Sequence, residues 1–277
     1  MRKNSGFSKT KSRSAFRGGS EPIRRGESPR PSQPPRRGDA PRGQEQGRAV
    51  GSDKAARPRQ FEVPKDLRIV MGTHAILEAA AVHIKHCREL WIKEGWESSQ
   101  DLKKIVGEVK PFNVKIRPMA ESVIDRFGSH QGAILLVAKA PEVNWPQLEK
   151  AEQSTLVLLD GIEDPHNFGA ILRTSWLMGV HAVMTPQDRA VGLTPTVHKV
   201  ACGGAEHVPV EPTANFAGKI AELKEQGYWV FGLSHKSKST LFDQQIPEKV
   251  IWCIGAEDKG LRSTTERFCD ELVSIPQ

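Results

Sequence analysis

The stretch from Leu156 to Gly179 constrains the fold of this chain more than any other. It begins with the apolar run Leu156–Leu159, which ends in Asp160-Gly161, and a short apolar run bounded by turn residues is typical of a strand buried on both faces. A polar loop follows, and apolar side chains then recur at helical spacing from Ile171 to Met178 before a glycine ends the pattern. The stretch therefore predicts a strand, a loop and a helix of a parallel sheet.

Two residues compete for the start of that helix. Asp164 precedes Pro165 and can cap the helix with proline in its first position, whereas Asn167 precedes a Phe-Gly pair and is the alternative cap. In both cases His166, Asn167 and Arg173 lie beyond the carboxyl end of the strand, where open parallel sheets bind their ligands. These three side chains are the first candidates for a functional site.

The rest of the region 154–277 alternates short apolar runs with helical patterns, of which the clearest covers 216–226. This order predicts an α/β domain with a parallel sheet and helices on both of its faces. The other predicted strands are 182–184, 207–210, 229–233, 250–255 and 271–276.

A smaller α/β domain, 65–140, precedes it, and 141–153 is predicted to be a linker. His74, in Gly72-Thr73-His74, and His130, in Ser129-His130-Gln131-Gly132, are polar positions at its element junctions, where turn chemistry and ligand binding are equally good explanations. Its predicted strands are 67–70, 90–93, 114–116 and 133–137, and its predicted helices are 75–86, 100–109 and 120–127.

The segment 1–64 has a different composition from the two domains. Residues 1–60 contain 16 Lys or Arg and 5 acidic residues, and they are rich in Arg, Pro, Gly and Ser. Such a segment cannot offset the entropy lost on ordering, so we expect a disordered basic tail. Because the rest of the chain is net acidic, a contact of the tail with nucleic acid phosphates is favoured over a solubilising role.

Several classes of protein are disfavoured by the sequence. No apolar run approaches the roughly 18 residues of a membrane span, and the basic start lacks the apolar stretch of a signal peptide, so we expect a cytoplasmic protein without membrane contact. The glycine spacing matches neither a phosphate loop nor a dinucleotide fingerprint, which argues against NTP or NAD chemistry. Free thiols and no metal site are expected because no Cys-x-x-Cys pair occurs among Cys87, Cys202, Cys253 and Cys269.

Three segments of the larger domain, taken together, resemble the SpoU (TrmH-type) family of RNA ribose 2′-O-methyltransferases, in the SPOUT class of knotted methyltransferases. They are 164–174 (DPHNFGAILRT), 199–209 (KVACGGAEHVP) and Gly255-Ala256-Glu257-x-x-Gly260 through Asp270-x-x-x-x-Ile275-Pro276. The resemblance covers 154–277. It extends more weakly to 67–140, where Gly72-x-His74-Ala75 and His130-Gln131-Gly132 look like a substrate-binding domain similar to ribosomal protein L30e.

The resemblance implies transfer of a methyl group from S-adenosylmethionine to a ribose 2′-hydroxyl of RNA, with ribosomal RNA favoured over transfer RNA. By this analogy Arg173 activates the hydroxyl, mainly through its charge, and Asn167 and His166 position it. A homodimer and the absence of a metal are also implied. The implied cofactor-binding residues are Gly255, Glu257, Gly260 and Ile275, and the implied RNA contacts are Glu206, Arg173, His74 and His130.

The sequence departs from the family pattern after Ile275-Pro276. Family members continue through a Ser-Leu-Asn-Val-Ser segment and a final helix, whereas this sequence ends at Gln277. We therefore expect a SPOUT-type sheet with an incomplete knot and weakened cofactor binding. The alternative function is an RNA-binding protein without catalysis, which holds RNA with the basic tail and the small domain.

Overall fold

The small domain is built on a four-stranded sheet in this computed structural model, which describes residues 62–128, 130–188 and 190–276. The predicted tail lies outside these residues except for 62–64. The strands are β1 (Arg68–Met71), β2 (Cys87–Lys93), β3 (Lys115–Met119) and β4 (Ala133–Val137). The helices are α1 (Thr73–His83), α2 (Gln100–Val109) and α3 (Glu121–Ile124).

Strand β4 is the centre of this sheet. It pairs antiparallel with β1 and β2, while β2 pairs parallel with β3, so the order is β1-β4-β2-β3. Successive side chains of β4 point to opposite faces. Leu135 therefore packs in the core that contains α1 and α2, whereas Ile134 and Leu136 pack in a second core with Trp91 and Met119. The helices predicted at 75–86 and 120–127 each end in a 3₁₀ turn, Ile84–His86 and Asp125–Phe127.

The larger domain contains a six-stranded sheet in which every strand pair is parallel. Its strands are β5 (Ser154–Asp160), β6 (Ala182–Pro186), β7 (Val210–Thr213), β8 (Trp229–Leu233), β9 (Lys249–Gly255) and β10 (Glu271–Val273). Their order across the sheet is β10-β8-β9-β5-β6-β7. The helices are α4 (Trp145–Lys150), α5 (Pro165–Leu177), α6 (Pro195–Ala201), α7 (Gly204–His207), α8 (Phe216–Glu225) and α9 (Ser263–Glu266).

Both faces of this sheet are covered by helices, as predicted. Alternate residues of β5 divide between two cores: Leu156 and Leu158 pack with residues of α4 and α8, whereas Val157 and Leu159 pack with residues of α5, α6 and α7. All four side chains are nearly inaccessible to solvent. The unbroken apolar run Leu156–Leu159 is thus part of a central strand that is buried on both faces. The expectation of an incomplete knot stays a prediction.

The structure adds detail to one sequence expectation and contradicts another. The segment predicted to be a linker, 141–153, contains helix α4, because the Asn144 side chain accepts a hydrogen bond from the Gln147 amide at 3.2 Å and Leu148 is buried. The strand predicted at 207–210 begins only at Val210. The preceding residues form α7 instead, since the Val208 amide donates to the Gly204 carbonyl at 2.9 Å and closes a helical turn.

The cysteines are free thiols, as expected, with Cys87 and Cys253 buried and Cys202 and Cys269 half-buried. Among the residues described, no helix has the length and apolar character needed to span a membrane. The same residues contain no group of three or more His, Cys, Asp or Glu side chains arranged to hold a metal ion.

Candidate active site

The first and third family-like segments meet at the carboxyl edge of the parallel sheet. Strands β5 and β9 are neighbours, and the loop that follows each one leaves the sheet at the same edge. Asn167, in the first turn of α5, lies close enough to Glu257, in the loop after β9, for its Nδ2 to donate to Oε2 at 3.4 Å. Two segments 90 residues apart in sequence are thereby brought together.

The start of α5 determines which polar side chains are free. The Asp164 carboxylate accepts a hydrogen bond from the His166 amide at 2.8 Å, and Pro165 occupies the first helical position. Asp164 is therefore the cap, and the alternative, Asn167, is not. His166, Asn167 and Arg173 are exposed. Neither the His166 ring nor the Arg173 guanidinium is hydrogen-bonded or ion-paired to another described residue.

The loop after β9 is held in a tight turn by its own backbone. The Ala256 amide donates to the Gly260 carbonyl at 3.1 Å, and the Gly260 amide donates back to the Ala256 carbonyl at 2.7 Å. A Cβ atom on Gly255 would overlap the backbone of Gly260, so only glycine fits there. Glu257 lies at the exposed tip that this turn creates.

The four residues implied in cofactor binding, Gly255, Glu257, Gly260 and Ile275, all line one cavity of about 230 Å³. Leu233 and Ile254 add apolar surface, and Glu266 adds a second carboxylate. Lys236 and Lys259 also line it, so the cavity combines apolar walls with charged groups of both signs. Such a lining fits S-adenosylmethionine, which carries an apolar nucleoside part, a positive sulfonium and a carboxylate.

Sequence reasoning missed three further residues of this cavity. Ser234, His235 and Lys236 line it directly after β8. The signal for them was available, because the predicted strand 229–233 had to end at the same sheet edge as the strands that carry the other two loops.

A second cavity, of about 390 Å³, lies on the other side of Glu257. Asp160, which ends β5, is buried in its wall and anchors the loop after β9: its Oδ2 accepts from the Arg262 amide at 2.9 Å, and its Oδ1 lies 3.2 Å from Arg262 Nε. Asn167 also lines this cavity. The loop after β9 is shared by the two cavities, because Ala256, Glu257 and Gly260 line both, whereas Asn167 lines only the polar one.

The residues implied in RNA binding are not all at the surface. His74 is exposed in the first turn of α1. His130 is 9% exposed, and both ring nitrogens are engaged: Nε2 lies 2.9 Å from Asp125 Oδ1, and Nδ1 accepts from the Gly132 amide at 2.8 Å. These contacts are the turn chemistry that the sequence left as an equal alternative.

The placement of Glu206 corrects an expectation. Its carboxylate is fully buried and bonded to Arg68 of β1 rather than turned to solvent, so it is not available to RNA in this structure. The reason is the adjacent glycine pair, Gly203-Gly204, which lets the chain turn inward against the small domain.

Comparison with known proteins agrees with this geometry. The SpoU rRNA Methylase family matches residues 154–277, and the RNA 2′-O ribose methyltransferase substrate binding family matches residues 69–143. The chain belongs to the SpoU rRNA methylase family. As a member of it, the chain is an S-adenosylmethionine-dependent RNA ribose 2′-O-methyltransferase.

Relatives of the chain within this family include ribosomal RNA methyltransferases. It is 37% identical over 218 residues to the 23S rRNA (guanosine-2′-O-)-methyltransferase RlmB of Neisseria meningitidis serogroup B, which covers 76% of this chain and 86% of the relative. To the enzyme of that name from Nitrosomonas europaea it is 48% identical over 125 residues, covering 45% of this chain and 48% of the relative.

Solved structures share the fold of this SpoU family member. The SpoU methyltransferase AviRb from Streptomyces viridochromogenes, in complex with AdoMet, superposes with a TM-score of 0.65 at 21% identity, covering 76% of this chain and 82% of that chain. The AdoMet-bound rRNA methyltransferase from Sinorhizobium meliloti superposes with a TM-score of 0.61 at 17% identity, covering 76% and 79%.

Proposed function

We propose that this protein methylates the ribose 2′-hydroxyl of a guanosine in 23S ribosomal RNA, in the cytoplasm. The observation that carries the proposal is the Asn167–Glu257 contact, which brings the segment with Arg173 beside the cavity lined by Gly255, Gly260 and Ile275. The name of the RlmB relatives and the matched substrate-binding domain support the choice of ribosomal RNA.

In this proposal, Arg173 acts on the ribose hydroxyl through its charge. A guanidinium stays protonated at any physiological pH, so it stabilises the oxyanion that develops on the hydroxyl more readily than it removes a proton. Its exposure and its lack of an ion-pair partner among the described residues leave the charge available to substrate. His166 and Asn167, in the first turn of the same helix, position the ribose or its adjacent phosphate.

In this proposal, Gly255, Glu257, Gly260 and Ile275 would hold the cofactor in the cavity that they line. S-adenosylmethionine supplies the methyl group when it is bound there. Glycine at 255 and 260 lets the backbone approach a ligand closely, while the Glu257 carboxylate faces both cavities and can accept hydrogen bonds from hydroxyl or amino groups.

We further propose that the protein is a homodimer. One face of α5 supports this, because Ala170, Ile171 and Met178 line an apolar groove of about 430 Å³ with Trp252 and Ile254. Leu177 and Met178 are 66% and 74% exposed, which is unusual for neighbouring large apolar side chains. Light scattering tests the proposal: the chain should have twice its monomer mass, and Met178→Glu should halve that mass.

The proposed substrate is tested by methyl transfer from labelled S-adenosylmethionine to unmodified 23S ribosomal RNA. The methylated ribose should appear as one gap in an alkaline hydrolysis ladder, at a guanosine, because a 2′-O-methyl group blocks strand cleavage at that position. Gly255→Ala should abolish transfer, since the added Cβ overlaps Gly260, whereas Gly107→Ala, with open space around it, should not.

A gap at another nucleotide, or labelling of 16S RNA to the same extent, would rule out the proposed specificity. Salt-sensitive retention on RNA with no labelling at all would instead support the alternative of an RNA-binding protein without catalysis.

A further inference from the structure

A buried carboxylate joins the small domain to the methyltransferase domain. The Glu206 side chain is fully inaccessible to solvent. Arg68, on β1 of the small domain, donates from Nη1 to Oε1 at 2.8 Å, and its second arm donates to Oε2. His198, on α6, places Nδ1 at 3.2 Å from Oε1, and His83, at the end of α1, has Nε2 at 3.2 Å from the Glu206 carbonyl. Residues from both domains thus converge on this one residue.

The partners of Glu206 keep its carboxylate ionised. Burial alone acts to raise the pKa of this group, but the hydrogen bonds and charges of Arg68 and His198 outweigh burial and lower the pKa to about 2. An ionised carboxylate without solvent depends on its partners, because removing one of them leaves an uncompensated buried charge. The two domains therefore share an interaction that neither can satisfy alone.

A second contact lies beside the first. The Glu78 side chain of α1 lies directly on Gly203, where a Cβ atom would overlap its Cγ. Glu78 Oε2 is also 2.9 Å from His207 Nε2, and the His207 ring stacks on Trp176 of α5 with centroids 4.2 Å apart. Helix α1 of the small domain is thus in close contact with the segment that leads into α7.

The next residue faces the catalytic helix. A Cβ atom on Gly204 would lie 2.7 Å from the Leu172 carbonyl oxygen and 2.9 Å from both the amide nitrogen and the Cα of Arg173. Gly203 and Gly204 are therefore sandwiched between Glu78 on one side and the backbone of Arg173 on the other.

Helix α1 also carries a surface that can meet RNA. His74 is exposed and precedes Glu78 by four residues, so the two side chains lie on one face of the helix. A Cβ atom added to Gly72, just before the helix, would lie 3.6 Å from the Cα of Lys199. The position of His74 relative to Arg173 is thus fixed by the contacts around Glu206.

We propose that Glu206 is a positioning residue for methyl transfer. It fixes the small domain against the Gly203-Gly204 pair, which packs on the backbone of Arg173, so that RNA bound by both domains presents its ribose to the Arg173 side chain. The inference rests on the proposed function. Glu206 touches neither RNA nor cofactor; it acts through Arg68 and through the glycine pair.

The test compares two RNAs on the full chain: a long 23S fragment that can contact both domains, and a short oligonucleotide around the target guanosine. Glu206→Gln should lower kcat on the long fragment by up to about 100-fold, because small displacements of a bound substrate have effects of this size. Turnover of the short RNA and the Kd for S-adenosylmethionine should change less than twofold.

Arg68 supplies the second variant, and thermal unfolding checks that each substituted chain is folded before its turnover is compared. Arg68→Met should reproduce the selective loss on the long fragment, and Arg68→Lys, which keeps the charge, should restore most of it. Glu222→Gln is the matched control, because it makes the same chemical change in an exposed ion pair with Lys219 at 3.0 Å, away from the domain contact.

Affinity for the two RNAs separates this inference from the proposed function. If the unsubstituted chain transfers no methyl group, the proposed function fails, but Arg68→Met should still weaken binding of the long fragment alone. Equal losses on both RNAs, or no loss on either, would overturn the inference and reduce Glu206 to a purely structural role.

Discussion

Two polar clusters of this molecule belong to family-like sequence segments, yet the fold treats them in opposite ways. The cluster around Glu206 is buried: Arg68 hydrogen-bonds its carboxylate, His83 contacts its backbone carbonyl, and His198 Nδ1 lies 3.2 Å from Oε1. The side chains of His166, Asn167 and Arg173 on α5 are exposed, and the hydrogen bond between the Asn167 and Glu257 side chains is long at 3.4 Å. Polar groups that the protein satisfies internally hold its domains together, whereas groups left unsatisfied remain available to substrate.

The sharpest way to test this comparison is to remove the exposed charge. Arg173→Ala should lower kcat for methyl transfer by about 100- to 1000-fold, because a group that stabilises a developing oxyanion is lost. The free energy of unfolding should stay within about 0.5 kcal/mol, since an exposed side chain without partners contributes little to stability. Methyl-transfer assays measure the expected loss of kcat, and urea unfolding measures the stability of the variant. A large drop in stability would contradict the contrast between the clusters.

The buried cluster should instead reveal itself through acid sensitivity. The folded pKa of Glu206 is about 2 against an ordinary value of 4.5, so its stabilisation is complete above pH 4.5 and is lost as the pH falls toward 2. The ionised carboxylate contributes about 3 kcal/mol to the free energy of unfolding. Urea unfolding between pH 7 and pH 3 should show this loss of stability. In the Glu206→Gln variant, this part of the pH dependence of the unfolding free energy should be absent.

His83 should add an earlier acid step. Burial lowers the pKa of its ring below the ordinary 6.5, with Arg68 adding to the effect and Glu206 opposing it. The unfolded chain therefore takes up this proton first, and stability should begin to fall as the pH drops below 6.5. A His83→Gln variant that keeps the full decline between pH 6.5 and pH 5 would contradict this assignment.

Gly203 and Gly204 lie between the small domain and helix α5, so adding a side chain at either position should lower stability. Gly204→Ala places a methyl group 2.7 Å from the Leu172 carbonyl and should cost about 1 to 3 kcal/mol of stability through overpacking. Gly107→Ala, in α2 with open space around it, should be neutral or stabilising by up to about 1 kcal/mol. Thermal unfolding of both variants measures the difference, and equal Tm values would show that α7 and α5 can separate without cost.

The smallest effect should come from the long contact at the site. Asn167→Ala removes the 3.4 Å hydrogen bond to Glu257, and both residues are exposed. Stability should therefore change by less than about 0.5 kcal/mol, while the KM for RNA rises. A stability loss above 1 kcal/mol would mean that this contact holds the two loops together rather than leaving them free for ligands.

The sequence predicted the fold best where one local pattern determines the outcome. The run at β5 and the helix at Gln100–Val109 could be assigned because apolar spacing alone decides them. The same holds for the position of His166 and Asn167 beyond the carboxyl end of β5, which follows from the order of strand, loop and helix. The strand expected at 207–210 failed because the Gly204–Val208 hydrogen bond competes locally with extension.

The role of Glu206 could not be predicted, because it depends on a long-range contact. Its partner Arg68 lies 138 residues away in a different domain, and nothing in the local sequence marks the two as a pair. His130 illustrates the same limit at short range. The Gly132 amide donates a hydrogen bond to its Nδ1 within the His-Gln-Gly turn, yet the same three-residue sequence is equally compatible with a ligand contact.

The adjacent glycines at 203 and 204 also constrain how this protein can diversify. Gly203 faces Glu78 of the small domain and Gly204 faces the backbone of Arg173, and neither position can accept a side chain without displacing a neighbour. A mutational library at these two codons should therefore return almost only the parental pair. Variants with a new RNA preference are therefore expected at the exposed surfaces of α1 and the loops rather than at this junction.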